Sequence, residues 1–231
     1  MIDPAHVRAI TLDLDDTLWP IAPTIVEAEA QLQAWLSQHA PRTAKACENP
    51  EFRRAARTQV NAAHSALAHD LSHLRREAIR ACLQAAGDDP GLAEPAFEVF
   101  FAARQRVTLY PGQREALQRL SQRYPLIALS NGNADVFRTE AGPFFKAAVS
   151  ARAVGVTKPD PRIFAAAVQA AGVPAESVLH VGDDPHSDVH GARQAGMMVV
   201  WLTPEPQTWS TEAPPPWQLT HLSELCDHLL G

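Results

Sequence analysis

The chain has 231 residues, of which 46% are hydrophobic and 20% are charged, and its formal net charge is −6. These values are ordinary for a folded globular protein and exclude long disordered stretches. The acidic balance, with no basic cluster longer than a pair, argues against a nucleic-acid backbone as the main partner, because such binding needs a clustered basic surface.

The N-terminal segment predicts a buried strand that ends in acidic residues. Residues 7–14 are almost wholly apolar, which is typical of a strand covered on both faces of a parallel sheet. Similar apolar runs occur later in the chain, at 126–129, 147–149, 178–181 and 197–202. Helical patterns separate these runs, at 134–140, 160–171 and 187–195. The alternation predicts an α/β fold with a doubly wound, Rossmann-like parallel sheet.

The segment between the first two strands has a different pattern, with apolar residues at helical spacing and no strand candidates. Four helices are predicted, at 22–39, 49–68, 71–86 and 92–106. Breaks are expected at Pro41, at residues 49–50 and at residues 87–90. The chain is therefore predicted to hold an all-helical cap domain, 20–108, inserted into a core domain formed by 1–19 and 109–231.

Three carboxylates follow the first strand in the segment ITLDLDDTLW, namely Asp13, Asp15 and Asp16. In an open parallel sheet, ligands gather at the carboxyl ends of the strands. Two carboxylates at positions i and i+2 can hold one hard cation and also divide the roles of nucleophile and proton carrier. An acidic turn that caps a helix is the alternative interpretation of this segment.

Three later segments of the chain also carry polar residues that are candidates for ligand binding. Ser130, with the backbone amides after it, could cradle phosphate oxygens, and a simple polar turn is the alternative that the segment by itself favours. Lys158 precedes a helix, where a cation opposes the helix dipole unless it has an anionic partner. Asp183 and Asp188 add carboxylates after another strand. These segments are predicted to converge at one edge of the sheet.

This ordered set of motifs resembles the haloacid dehalogenase superfamily. The first motif is matched by Asp13, Asp15 and Thr17, the second by Ser130, the third by Lys158, and the fourth by Asp183 with Asp188. The resemblance spans residues 7–202 and implies a phosphomonoester hydrolase. The superfamily's dehalogenating members carry a non-acidic residue at the position of Asp15, so the acid there favours phosphoryl transfer.

The resemblance also implies a role for each residue. Asp13 would attack phosphorus and become an aspartyl phosphate, while Asp15 would act as general acid and then as general base. The transferred phosphoryl group would be bound by Thr17, Ser130, Asn131 and Lys158.

A magnesium ion is the cofactor that the resemblance implies. It would be held by Asp13, by Asp183 and by the backbone carbonyl of Asp15, and it would neutralise developing charge. Asp188 would act from behind these ligands by orienting them or a bound water.

The position of the insert implies the class of substrate. Between Thr17 and Ser130 lie 112 residues, but between Ser130 and Lys158 only 27, so the insert resembles a helical cap that closes over small phosphorylated metabolites. The cap stretch AHDLSHLRREAI and the segment after the fourth motif resemble bacterial phosphatases that act on FMN and on the phosphorylated pyrimidine intermediate of riboflavin synthesis. His69, Arg75 and Trp19 are predicted substrate contacts, with surface exposure or packing as the alternatives.

Two other functions are compatible with the same motifs. A phosphomutase would pass the phosphoryl group to a second substrate hydroxyl instead of water. A non-catalytic binding module could retain the fold, although a pure binder needs no nucleophile.

Further features indicate the setting of the protein. Cys47, Cys82 and Cys226 are widely spaced, which predicts neither a disulfide framework nor a zinc site. No apolar run reaches the roughly 18 residues of a membrane span, so a cytoplasmic protein without a membrane partner is expected, as a monomer or homodimer. Histidine pairs at i, i+4 are interpreted as solvated helix faces. Residues 204–217, which are rich in proline, are predicted to form a loop.

Overall fold

The structure is a computed structural model that describes residues 2–205, 207–210 and 212–231. It divides into two compact units. The sheet unit consists of Met1–Ile21 with Val107–Gly231, and the helical unit consists of Ala22–Arg106. The domain boundaries predicted from the sequence lie two residues away, after residue 19 and after residue 108.

The helical unit is built from short helices packed around an apolar centre. The helices are α1 (Ile21–His39), α2 (Pro41–Cys47), α3 (Pro50–Ala63), α4 (Leu71–Ala86) and α5 (Ala93–Arg104). Residues at helical spacing on α1, including Leu32 and Leu36, pack against Leu83 of α4 and Phe97 of α5. This spacing turns one apolar stripe of each helix inward, which is why the segment forms helices with a shared core.

Two of the helix predictions in this unit are corrected. Pro41 was predicted to be a break, but it starts α2, because the first turn of a helix needs no N–H from its first residue. The helix predicted over 49–68 ends at Ala63, and a separate 3-10 turn, Ser65–Leu67, follows it.

The sheet unit contains one six-stranded sheet in the part of the chain that the structure describes. Its strands are β1 (Ala9–Leu12), β2 (Leu126–Ser130), β3 (Ala147–Ser150), β4 (Val178–Gly182), β5 (Met198–Leu202) and β6 (Trp217–Leu219). All the strand pairs are parallel, and the spatial order is β3-β2-β1-β4-β5-β6. The predicted doubly wound α/β fold is confirmed.

Helices cover both faces of this sheet, as α6 (Gln113–Ser121), α7 (Ala151–Val154), α8 (Pro161–Ala171), α9 (Gly191–Gln194) and α10 (Leu222–Leu230). Alternate residues of one strand point to opposite faces. Ile10 of β1 therefore packs in the cluster that includes α6 and α10, while Ala9 packs in the cluster that includes α8 and α9. Full burial of a leucine or isoleucine side chain contributes about 1.5–3 kcal/mol, so these two clusters are the main source of stability in the unit.

Several short elements differ from their predictions. The helix predicted over 134–140 is a 3-10 turn, Val136–Arg138, and the one predicted over 187–195 is a π-helical turn, Pro185–His190, followed by α9. Within the predicted loop 204–217, Pro206 and Thr211 lie outside the described residues, and Trp217 starts β6. Among the described residues, no helix has the length and apolar character that a membrane crossing requires.

The order of the strands defines where a ligand can sit. β1 lies between β2 and β4: strands β2 and β3 lie on one side of it, and strands β4 to β6 on the other. The strand order therefore switches direction at β1. A crevice forms at such a point, beyond the carboxyl ends of the strands. The loops that follow β1, β2 and β4 carry most of the predicted site residues.

The helical unit offers a test of its own stability through Asp88, which follows α4. Its carboxylate accepts hydrogen bonds from the Thr43 backbone N–H at 2.7 Å and from the Thr43 hydroxyl at 2.8 Å, with Arg42 at 3.2 Å. These bonds, led by the one from the Thr43 backbone, hold the pKa of Asp88 below its usual value. They tie α2 to the end of α4.

We expect Asp88→Ala to lower the melting temperature at neutral pH. A lowered folded-state pKa contributes stability above the unfolded-state pKa, and this contribution is lost as pH falls through the folded-state value, below about pH 4. Thermal unfolding followed by circular dichroism should therefore show a wild-type advantage that shrinks with acidification. Glu98→Ala, a change at an exposed position of α5, is the control. A difference that stayed constant across this pH range would contradict the prediction.

Candidate active site

The turn after β1 brings the first acidic motif into a compact arrangement. The N–H of Asp13 donates to the carbonyl of Val181 at 2.9 Å, which continues the pairing of β1 with β4 beyond its last residue. Asp16 has a φ of 59°, a left-handed conformation that aspartate tolerates better than most residues. Its N–H donates to the carbonyl of Trp19 at 2.7 Å, so the chain folds back on itself directly after the motif.

This fold-back places an indole beside the second aspartate. Trp19 Nε1 donates to Asp15 Oδ1 at 2.8 Å. Trp19 was predicted to contact substrate, but its side chain is 0% exposed and packs in the core of the sheet unit. It therefore has no surface to offer a ligand, and its polar atom orients Asp15 instead.

Lys158 is the centre of the site. Its side chain is buried, and Nζ donates to Asp13 Oδ1 at 2.5 Å and to Asp188 Oδ1 at 2.6 Å. Burial acts to lower the pKa of Lys158, but the attraction of Asp13 and Asp188 outweighs it, so the pKa is raised above its ordinary value. Lys158 is therefore not a solvated loop lysine, and it has the anionic partners that its place before a helix requires.

Asn131 fixes the loop that carries this lysine. Its side-chain oxygen accepts from the backbone N–H of Lys158 at 2.7 Å, and its side-chain nitrogen donates to the carbonyl of Lys158 at 3.1 Å. The side chain of Asn131, predicted to be in the phosphate-binding set, is thus committed to Lys158. Ser130 is also buried, and its hydroxyl oxygen accepts from the N–H of Gly132 at 2.9 Å, which shapes the turn after β2.

Thr17 lies between two of the carboxylates. It is fully buried, and its hydroxyl donates to Asp183 Oδ1 at 3.0 Å and lies 3.3 Å from Asp13 Oδ2. Its predicted contact with phosphate stays a prediction. A hydroxyl between two carboxylates sets their spacing. The backbone of Asp183 is held as well, because its carbonyl accepts from Trp201 Nε1 at 2.6 Å.

Asp188 is surrounded by donors. Oδ1 faces both Lys158 Nζ and His180 Nε2, the latter at 3.0 Å, and Oδ2 accepts from the N–H of Asp184 at 3.0 Å. Although burial acts in the opposite direction, Lys158 and His180 lower the pKa of Asp188. Gly182 leaves the space that this carboxylate occupies, since a Cβ at Gly182 would overlap it. Asp188 thus orients Lys158, which agrees with the predicted role of a residue that positions the ligand-binding groups.

His180 and Thr11 extend this network, and both were missed from the sequence. His180 Nδ1 lies 2.9 Å from the Thr11 hydroxyl, and both side chains are fully buried. Burial lowers the pKa of His180, which favours a neutral imidazole. The two residues are register partners on β1 and β4. A polar residue inside each of two apolar strands was the signal that could have identified them.

Three carboxylates form a cluster that suits a hard cation. Oxygens of Asp13, Asp183 and Asp188 lie within 4.8 Å of one another. Burial and the neighbouring acids raise the pKa of Asp13 to about 8, against the opposing effect of Lys158. Burial and Asp188 raise the pKa of Asp183 to about 7. These carboxyl groups release their protons less readily than usual, and a bound cation would favour their ionised form; all-oxygen donors are those that Mg²⁺ prefers.

The two remaining residues that were predicted to contact substrate lie in the helical unit. Arg75 donates to Glu29 Oε1 at 2.5 Å, and its guanidinium lies over the ring of Phe100 at 4.3 Å. His69 lies in the segment before α4. A contact of either residue with substrate stays a prediction, as does the contribution of the Asp15 carbonyl to metal binding.

Known proteins provide an independent comparison. The profile of a family described as haloacid dehalogenase-like hydrolase matches residues 7–196. The 5-amino-6-(5-phospho-D-ribitylamino)uracil phosphatase YigB of Escherichia coli K12 is 30% identical over 228 residues, which cover 95% of each chain. A phosphoserine phosphatase of Thermus thermophilus is 36% identical over 166 residues, covering 69% of this chain and 67% of the relative.

A solved structure agrees over nearly the whole chain. The crystal structure of a 2-haloacid dehalogenase from Pseudomonas syringae pv. tomato DC3000 is 36% identical, has a TM-score of 0.90, and is matched over 97% of this chain and 98% of that chain. The resemblance drawn from the motifs is confirmed: the chain belongs to the haloacid dehalogenase-like hydrolase family.

Proposed function

We propose that the chain is a magnesium-dependent phosphomonoesterase that forms an aspartyl phosphate on Asp13. The observation that carries this proposal is the different environment of the two aspartates in the first motif. Asp13 lies against buried Lys158 in the carboxylate cluster, whereas Asp15 is held separately by the indole of Trp19. A nucleophile and a proton carrier need such different surroundings.

In the first half-reaction, a carboxylate oxygen of Asp13 attacks phosphorus in line with the leaving oxygen. The bond from phosphorus to the leaving oxygen breaks, and Asp15 gives that oxygen its proton. Lys158 Nζ, already within 2.5 Å of Asp13, balances the negative charge that the phosphoryl group brings to the site. Ser130 and the amides after it bind the phosphoryl oxygens.

In the second half-reaction, Asp15 takes a proton from water, which attacks the phosphorus of the aspartyl phosphate. The acyl phosphate bond breaks, phosphate leaves, and Asp13 returns as a carboxylate. The hydrogen bond from Trp19 keeps Asp15 in one position for both steps, because it fixes one of the two carboxylate oxygens.

Asp13 and Asp183 would hold the Mg²⁺ ion, with the carbonyl of Asp15 as a further oxygen ligand. When bound, the ion supplies positive charge that stabilises the transferring phosphoryl group. Thr17 sets the distance between the two carboxylates, and Asp188 orients Lys158 beside them.

For the substrate, we propose FMN or 5-amino-6-(5-phospho-D-ribitylamino)uracil. Support comes from the YigB relative, which is named as a phosphatase of the second compound and whose match covers 95% of both chains. The motifs that bind a phosphoryl group are common to the family, so a match limited to them would not distinguish substrates. The Thermus phosphoserine phosphatase, matched over a smaller part of the chain, indicates the competing class of short phosphorylated substrates.

Dehalogenation is the second candidate, since the Pseudomonas syringae neighbour is described as a 2-haloacid dehalogenase. A departing halide needs no proton, so a dehalogenase has no use for an acid at Asp15. A phosphomutase needs the same groups as a phosphatase, but it requires an acceptor hydroxyl, and release of phosphate without a bisphosphate activator separates the two. A non-catalytic module would release no phosphate.

We expect phosphate release from FMN and from the ribityl-pyrimidine phosphate at the highest kcat/KM in a panel. The panel should include phosphoserine, phosphoglycolate, p-nitrophenyl phosphate and 2-chloropropionate. Asp13→Asn and Asp15→Asn should each reduce turnover by roughly a thousandfold, since the two residues act as one unit.

Three outcomes would count against parts of this proposal. Near-normal turnover in Asp13→Asn would exclude covalent catalysis at that residue. Halide release from 2-chloropropionate without phosphate release from any ester would favour the dehalogenase. If short phosphates were hydrolysed roughly a hundredfold more efficiently than the ribityl phosphates, the substrate assignment alone would fail.

We also expect the site to bind Mg²⁺ measurably. In titration calorimetry, Asp183→Asn should weaken Mg²⁺ binding by roughly tenfold or more, because it removes a charged oxygen ligand. Asp227→Asn, an equal charge change at an exposed position of α10, should leave binding unaltered. Chelation should abolish phosphate release and added Mg²⁺ should restore it. Full turnover in excess chelator would contradict the metal assignment.

Trp19→Phe tests how Asp15 is positioned. Negative charge develops on Asp15 as it gives up its proton, and loss of a hydrogen bond to a charged group costs about 1.5–3 kcal/mol, so we expect kcat/KM to fall about tenfold to a hundredfold on an alkyl phosphate. The defect should be smaller on p-nitrophenyl phosphate, whose leaving group needs little protonation. Trp35→Phe, within α1, is the matched control. Equal losses on both esters would show that Trp19 acts through general stability and not through Asp15.

A further inference from the structure

Two cysteines of the helical unit lie side by side. Cys47 is the last residue of α2, and Cys82 lies in α4. Both side chains are buried as free thiols and belong to one small apolar cluster with Ala56. The two residues are far apart in the sequence, so only the packing of α2 on α4 makes them neighbours.

The thiols line a cavity of about 40 Å³ inside the helical unit. A water molecule needs roughly 10–15 Å³ of such space, so the cavity has room for a few waters or one small polar molecule. It is also lined by Arg53, Arg57 and Arg75, with Glu29 as a counter-charge. The surroundings of the thiols are therefore electropositive.

The two thiols have different properties. The hydrogen bond from Cys82 lowers the pKa of Cys47, with help from Arg53 and Arg57 and against the effect of burial. The same bond raises the pKa of Cys82. Cys47 is accordingly the better nucleophile, since the thiolate is the reactive form, and Cys82 is placed to react with whatever forms on it.

We propose that Cys47 and Cys82 are a redox-active dithiol, which a small peroxide converts into an intramolecular disulfide between α2 and α4. This modification site is separate from the carboxylate cluster and does not depend on the proposed function. The mutual contact of the thiols, the cavity beside them and the arginines around it carry the inference.

The chemistry balances with hydrogen peroxide as the oxidant. The Cys47 thiolate attacks one peroxide oxygen, the O–O bond breaks, hydroxide leaves, and Cys47 becomes a sulfenic acid. The Cys82 sulfur then attacks the Cys47 sulfur, the S–O bond breaks, and water departs with the released proton. Two thiols are oxidised, one peroxide is reduced to two waters, and one S–S bond is formed.

Cys226 provides an internal control in the sheet unit. It is fully buried and donates to the carbonyl of Ala116 at 3.4 Å, and burial raises its pKa to about 11. No second cysteine of the chain accompanies it there. It should remain a thiol under conditions that oxidise the pair.

The test is peptide mapping of the full chain after treatment with limiting hydrogen peroxide, alkylation and non-reducing digestion. We expect a cross-linked peptide containing Cys47 and Cys82, loss of two thiols, an alkylated Cys226, and full reversal by dithiothreitol. Cys82→Ser should instead stop at a sulfenic acid on Cys47 that dimedone traps. Cys226→Ser should still form the cross-link.

The peptide map of the wild-type chain tests the proposed disulfide even if a variant fails to fold. Unreacted Cys47 and Cys82 under these conditions would overturn the proposal, as would a disulfide between chains or oxidation of Cys226 in preference to the pair. A cross-link that formed as fast after Arg57→Gln as in the wild type would remove the role assigned to the arginines.

Discussion

The buried ammonium group of Lys158 is the interaction on which the rest of the site depends. Its contacts with Asp13 and Asp188 place a positive charge in a region with little exposure to water. A buried charge is tolerated only when it is paired and hydrogen-bonded, and removing one partner leaves the others uncompensated. The carboxylates and the lysine are therefore mutually necessary, which couples the loop after α7 to the ends of β1 and β4.

Secondary contacts hold this group of charges in position. Asn131 fixes the backbone of Lys158, Thr17 spaces two carboxylates, and His180 supports Asp188 from inside the sheet. Two buried indoles act similarly, because Trp19 orients the side chain of Asp15 and Trp201 the backbone of Asp183. Rigid strands and satisfied hydrogen bonds give the site a defined geometry before any ligand arrives.

The sequence predicted the α/β sheet and the residues at its carboxyl edge, because apolar runs and polar residues at their ends are local signals. It did not predict which polar atoms meet. The contact of Trp19 with Asp15 depends on the left-handed conformation of Asp16, and that of Thr17 with Asp183 depends on the pairing of β1 with β4. Pro41 was misjudged for a similar reason, since proline is compatible with both a break and a helix start.

The position of β1 within the sheet has a consequence for how the chain folds. Ile10 pairs with Leu126 on one side and with Leu179 on the other, so the central strand is completed only by segments far along the chain. Contacts of such long range carry a loop-closure cost before they are rewarded, which slows folding. The helices of Ala22–Arg106 form a compact unit of their own, and its collapse would shorten the effective loop between β1 and β2. Collapse of the inserted unit would thereby speed the folding of a sheet to which it contributes no strand.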